Sequence, residues 1–495
     1  MAGELPSVLG VVGAGTMGSG IAQLGAAAGI ETRLHDPDQA ALEKGMAALG
    51  KGLAKLAEKG RLDGDPDEAA GRVTQAASLN DLAGCELVIE AAPERPDLKR
   101  ELFSELSRIC GEEAVLATNT SSIPVTSLAG AAVRPENVVG MHFFNPPPLM
   151  ALLEVIPADQ TGERALEMAI ATGEAMGRRV IVAADGPGFL VNRCGRPFGA
   201  EALRIVQEGI ATPEQVDRIC RVGGGFRMGP FELMDLVGID VGFEVAKSFN
   251  ELSFGEHRWK PSPLQAQMVA AGRLGRKTGR GWYDYDGEGH YRRDDPEPIE
   301  PKGEAPPVRF RGAPDELRDR AQELGLKMDG DVGPDLVSCR TASLAEQWGM
   351  TDAVGMMVGP PMDTARLAEL TRTPATSEES AQAAEAFFTA LGLHVEWVGD
   401  SPGLVLRRIV CQLVNEAAFA VGEGVGSPED VDAGLTLGLN HPRGPFAWAE
   451  VLSPEKVLET IDALWEERRE ERYRAAPLLR RASSLGISLA AAAEG

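Results

Sequence analysis

The sequence predicts an α/β protein: a doubly wound parallel sheet, followed by an all-α helical domain and a degenerate second copy of that helical domain. Three observations predict it. Residues 8–36 read as strand, glycine turn, helix, second strand and terminal acid. Strand-like and helix-like patterns then alternate as far as residue 184. From residue 139 the chain can be laid on itself at a constant offset.

"VLGVV" (8–12) is a short β-branched apolar run, the pattern of a strand buried on both faces. It runs into Gly13-Ala14-Gly15-Thr16-Met17-Gly18, a G-x-G-x-x-G. Gly13 permits the tight turn, Gly15 lets backbone approach a pyrophosphate, and Gly18 lets helix and strand pack closely. The helix opening at Thr16 and Met17 presents free N–H groups and a partial positive charge to phosphates. Asp36 ends the second strand, where its carboxylate would accept hydrogen bonds from the adenosine ribose and repel a 2′-phosphate. The unit is therefore a Rossmann-type dinucleotide site with a preference for NAD. The long helical stretch after it carries Lys51, Lys55 and Lys59 at i, i+4 and i+8, on one face. Such a face is either simply solvated or a cationic stripe for an anionic ligand tail.

"ELVIEAAPE", "AVLATNTSS" and "ENVVGMHFF" read as further buried strands. Ligands of a doubly wound sheet sit beyond the carboxyl ends of its strands, which brings Ser121, His142 and Asn145 toward the nicotinamide. Glu154 lies inside the apolar "LLEVI". A buried acid is costly unless paired, and a histidine is its natural partner: the carboxylate fixes the ring's tautomer and raises its basicity. Each residue alone also fits a satisfied core position.

The bulk numbers exclude several classes. At 495 residues the chain exceeds one hydrophobic core. A formal net charge of −25 argues against nucleic-acid or anionic-membrane partners. No run of roughly 18 apolar residues is present to span a bilayer, and "MAGELPSVLG" lacks a basic region before its apolar residues. The six scattered cysteines never form a C-x-x-C, which reads as reduced and cytoplasmic, with no metal site.

"GVVGAGTMGSGIA", "DLKRELFSEL", "TNTSSIPVTSLA", "GMHFFNPPPLMALLEVI", "DGPGFLVNR" and "RMGPFELMDLVGIDV" together resemble the L-3-hydroxyacyl-CoA dehydrogenases, over residues 7 to about 285. The resemblance implies NAD-dependent oxidation of (S)-3-hydroxyacyl-CoA to the 3-ketoacyl thioester, as in fatty-acid β-oxidation. It also implies residue roles. His142 is the general base and Glu154 its orienting acid. Ser121 bonds the substrate hydroxyl, and Asn192 lies near the reacting carbonyl. Glu94, Lys99, Ser121 and Asn145 match cofactor-pocket positions, while Lys59, with Lys55 beside it, matches a coenzyme A contact. Pro93 and Pro96 flank Glu94 and stiffen its loop. The tandem form of the family implies short-chain or dicarboxylic acyl groups. Two rivals are a dehydrogenase of sugar acids or free 3-hydroxy acids on the same fold, and a nucleotide-binding protein without catalysis.

The repeat pairs Val139 with Val354, Glu154 with Glu369, Asp185 with Asp400, Asp217 with Asp432 and Gly229-Pro230-Phe231 with Gly444-Pro445-Phe446. This is internal duplication. The second copy has lost the chemistry: His142 maps to Met357, Asn145 to Pro360 and Asn192 to Arg407. The expected organisation is an NAD-binding domain over 1–184, a helical substrate and dimerisation domain over 185–285 and a Pro- and acid-rich linker over 286–315. A degenerate partial nucleotide fold follows over 316–399, then a second helical domain over 400–495. The two helical domains are expected to pack as an internal pseudo-dimer, with or without further homo-oligomerisation.

Overall fold

The computed structural model describes residues 4–291, 293–328, 330, 332–360 and 365–494. The chain divides into two compact units, residues Met1–Arg193 with Gly424–Leu439 and residues Cys194–Glu423 with Asn440–Gly495.

In the first unit eight strands form one sheet: β1 (Val8–Val12), β2 (Glu31–His35), β3 (Val73–Ala76), β4 (Leu87–Glu90), β5 (Val115–Thr118), β6 (Val138–Phe143), β7 (Leu152–Pro157) and β8 (Arg179–Val182). Their order is β3-β2-β1-β4-β5-β6-β7-β8. Every neighbouring pair is parallel except β6 with β7. A parallel return needs a crossover of roughly a dozen residues or more. The stretch 144–151, with its three prolines, is too short for one, so the chain folds back as a hairpin. Leu9, Val11, Leu34, Leu87 and Ile89 have no exposed surface in the core behind the nucleotide half. Burial of such a side chain contributes about 1.5–3 kcal/mol.

The second unit carries a five-stranded sheet: β9 (Arg309–Arg311), β10 (Asp335–Ser338), β11 (Ala353–Val358), β12 (Leu367–Thr371) and β13 (His394–Trp397), in the order β13-β12-β11-β10-β9. It repeats β4–β8 in order and direction, including the single antiparallel pair, here β11 with β12. Among the described residues nothing in this unit corresponds to β1–β3 and the glycine turn. Residues 309–311, within the stretch read as linker, are the first strand of this sheet. Three further residues of that stretch are fastened down. Arg293 pairs with Glu232 at 2.8 Å, Asp295 with Arg221, and the Lys302 amide donates to the Ala390 carbonyl at 2.7 Å.

The duplication is visible in detail. Thr161 Oγ1 donates to the Val138 carbonyl in one copy, and Thr376 Oγ1 to the Ala353 carbonyl in the other. π-helical turns occur at Ile219–Gly223 and Gly434–Gly438. In the second unit the fully buried Arg408 binds Glu201, Glu208 and the Tyr473 hydroxyl, tying the helix Leu406–Gly422 to residues of the first helical copy. Arg258 meets Glu416 at 2.8 Å in the same interior. No helix of the described residues is long and apolar enough to cross a membrane.

Candidate active site

The glycine turn has the geometry that a dinucleotide needs. Gly13 has φ +102°, a conformation that disfavours a side chain. A β-carbon on Gly18 would lie 1.7 Å from the Gly13 carbonyl oxygen, so only glycine lets the helix Thr16–Ala27 start there. A β-carbon on Gly15 would meet nothing within 4 Å, leaving open space over the backbone that caps this helix. Asp36 is already oriented: Oδ2 accepts from the Ala14 amide at 2.8 Å and Oδ1 from the Asp38 amide at 2.9 Å. Arg33 is drawn away, donating to the Asp81 carbonyl at 2.6 Å.

His142 and Glu154 are cross-strand partners on β6 and β7. Residues directly opposite on an antiparallel pair project to the same face, so the hairpin alone brings ring and carboxylate together. His142 Nδ1 lies 2.6 Å from Glu154 Oε2. An ionised carboxylate can only accept, which assigns the hydrogen to Nδ1 and leaves Nε2 with its lone pair. Glu154 has no exposed surface, and its Oε1 accepts from the amides of Leu190 (3.1 Å) and Val191 (2.9 Å). These amides open the helix Val191–Gln207, so the "DGPGFLVNR" motif locks the acid in place. The Phe144 ring packs 4.6 Å from the imidazole, and Asn119 Oδ1 accepts from the Phe143 amide at 2.8 Å. Sequence reasoning missed Asn119, although it stands inside the "TNTSS" motif already singled out.

Ser121 is half-buried just past β5, and its amide donates to Glu94 Oε1 at 3.0 Å. The same oxygen accepts from the Thr120 and Ser122 hydroxyls. Burial pushes the Glu94 carboxyl up, but Lys99, the Thr120 hydroxyl and the Ser121 amide together outweigh it and hold the group below its usual range. Lys99 does not face an open pocket. Its ammonium is buried against Glu90 at 2.7 Å and Glu94 at 3.2 Å, so it can act only through Glu94. Asn145 is exposed near the start of the hairpin turn, and Asn192 is half-buried in the first turn of its helix. Lys55 and Lys59 are exposed at the end of the helix Gln39–Glu58, apart from the His142 pair in the sequence and on a different element. The six cysteines are all free and buried.

A glycine turn shaped for a pyrophosphate and an imidazole steadied by a buried acid in the same sheet define an NAD-dependent dehydrogenase. Comparison with known proteins narrows this. Residues 8–186 match the 3-hydroxyacyl-CoA dehydrogenase NAD binding domain, and residues 188–285 and 403–493 each match the 3-hydroxyacyl-CoA dehydrogenase C-terminal domain. The chain belongs to the 3-hydroxyacyl-CoA dehydrogenase family. It is 33% identical to 3-hydroxyadipyl-CoA dehydrogenase of Escherichia coli K12, over 96% of this chain and 97% of the relative. The probable 3-hydroxybutyryl-CoA dehydrogenase of Deinococcus radiodurans is 43% identical over 56% of this chain and 99% of its own. The crystal structure of an E. coli K12 3-hydroxybutyryl-CoA dehydrogenase superposes with a TM-score of 0.86 at 31% identity, covering 97% of this chain and 98% of that one.

Proposed function

We propose that His142 is the general base of an (S)-3-hydroxyacyl-CoA dehydrogenase and that Glu154 orients it. The observation that carries this is the 2.6 Å bond between Nδ1 and Oε2, with the other carboxylate oxygen held by two amides. NAD, bound by Gly13, Gly15, Thr16, Met17, Gly18 and Asp36, supplies the hydride acceptor. In oxidation His142 Nε2 takes the proton of the substrate 3-hydroxyl, Ser121 donates to that oxygen, and Asn192 lies near the carbonyl that forms at C3. In reduction the same imidazole returns the proton. Glu94, steadied by Lys99, holds the Ser121 loop, and Asn145 borders the nicotinamide side. Lys55 and Lys59 attract the coenzyme A phosphates.

Full-length similarity to a dehydrogenase named for 3-hydroxyadipyl-CoA supports a short or dicarboxylic acyl group. Free buried cysteines support a reducing, cytoplasmic setting. The helical copies pack as an internal pseudo-dimer; the Arg408–Glu201–Tyr473 cluster and the Arg258–Glu416 pair support that reading. Deleting residues 300–495 then gives insoluble protein or a new homodimer in light scattering, and a soluble, fully active monomer would refute it.

His142→Gln tests the central assignment. Turnover of a 3-hydroxyacyl-CoA should fall roughly 10²–10⁴-fold, with NADH binding by fluorescence unchanged. Parental turnover would overturn the reading.

A further inference from the structure

The second copy has Met357 in place of the histidine and, among the described residues, no nucleotide half, yet residues 424–439 belong to the catalytic unit. The Ala184 amide donates to the Val425 carbonyl at 2.8 Å, and Arg179 reaches Asp430 at 3.4 Å. Between these anchors and β7 sits the π-helical turn Gly434–Gly438. Its two glycines approach very closely. A β-carbon on Gly434 would lie 2.7 Å from Val191 Cγ2. One on Gly438 would lie 2.8 Å from Leu152 Cδ2 and 3.4 Å from both Phe144 Cε1 and Val191 Cγ1.

Each of these three neighbours is one step from the His142–Glu154 pair. Phe144 packs on the imidazole, Val191 donates its amide to Glu154, and Leu152 shares Glu154's face of β7 two residues away. The first copy's equivalent turn, Ile219–Gly223, is engaged elsewhere. It packs on β12, the strand that carries Glu369, where a β-carbon on Gly223 would lie 3.6 Å from Leu367 Cδ2. The live pair is therefore backed by the duplicate's turn, not by the first copy's.

We propose that Gly434 and Gly438 of the degenerate copy are positioning residues for the dehydrogenase reaction. They are backbone buttresses that keep Phe144, Leu152 and Val191, and through them the imidazole and its acid, in register. The duplicate is then a working part of the catalytic site although it holds no reacting group. This rests on the assignment of His142 as base.

The test uses the full-length protein. Gly438→Ala should lower kcat on the order of 10- to 100-fold, the scale of a sub-ångström to ångström displacement of a catalytic group. It should also move the acidic limb of the kcat/KM pH profile for oxidation, the limb set by protonation of the base, and leave KM for NAD unchanged. Adding Leu152→Val, which makes room for the new methyl, should restore part of the loss. Gly224→Ala is the matched control: its β-carbon would press on Leu406 at 2.7 Å, beside Glu369, and kcat and the pH profile should stay parental. Parental kcat and pH profile in Gly438→Ala, or an equal loss in Gly224→Ala, would overturn the proposal. If Gly438→Ala does not fold, Leu435→Ala in the same turn is judged by the same criteria. Activity in His142→Gln would sink the underlying assignment separately, whatever Gly438→Ala does.

Discussion

The chain contains the same acid twice, in two different states. Glu154 and Glu369 occupy matching positions on antiparallel hairpins, and both accept from two amides at the start of a long helix. Glu154 faces an imidazole; Glu369 faces Met357 across the strand pair. Burial pushes the Glu369 carboxyl up to about 8, against the pull of the Val405 and Leu406 amides, with a small further push from Glu396. A thioether is no ion-pair partner, so nothing across the strand pair offsets the cost of burying a charge there. A pocket beside Glu369 is lined by Met357, Pro360, Arg407 and Trp448, and Arg407, at the position of Asn192, is bonded to Thr460 and the Lys456 carbonyl. The scaffold needs the carboxyl group to cap a helix; only the chemistry needs its charge and a neighbouring base.

The largest effect that sharpens this contrast is expected from Glu154→Gln. The amide can still accept from Leu190 or Val191 but no longer orders the histidine by charge, and kcat should drop on the order of 10²–10⁴-fold. Steady-state kinetics read it, and a loss matched by Glu369→Gln would break the comparison.

Glu369→Gln should change stability without touching activity. The folded carboxyl titrates near 8 and the unfolded one near the ordinary 4.5. Between those values the native state holds the extra proton, so this group's contribution to stability declines as pH rises from about 4.5 to about 8 and is flat beyond. The glutamine variant removes that decline. Urea unfolding at pH 5, 7 and 9 should show a flatter profile and a variant more stable than the parent at the high end.

The smallest effect belongs to Met357→His. It rebuilds the histidine–acid pair on β11 and β12, but the second unit has no glycine turn among its described residues. Turnover and NAD stoichiometry by calorimetry should remain parental, and a second bound NAD would contradict the account of the duplicate as scaffold.

Much of this was legible because the signals are local. The glycine spacing and Asp36 specify the nucleotide turn within thirty residues of chain, and Glu154 in an apolar run demands a partner. The repeat exposed the loss of His142 at Met357. Other features depend on distant residues. That β6 and β7 run antiparallel follows from the length of 144–151, yet nothing in the pattern sets His142 opposite Glu154 until the register is known. Lys99 reads as a ligand contact from its motif. Its burial is decided by Glu90, on a strand whose acid carries no outward sign of facing inward. The membership of 424–439 in the catalytic unit could not be read from periodicity, since helices that pack on their own copy or on the other have the same apolar stripe.

The stretch joining the copies carries one more consequence. Residues 293–302 are bound along their length, by Arg293 to Glu232, Asp295 to Arg221, the Glu297 carbonyl to His394 and Lys302 to Ala390. It is a belt cinched across folded surfaces, not a slack tether. A protease nick there would leave both pieces holding each other, and the gene could be split at that point into two co-expressed fragments that reassemble.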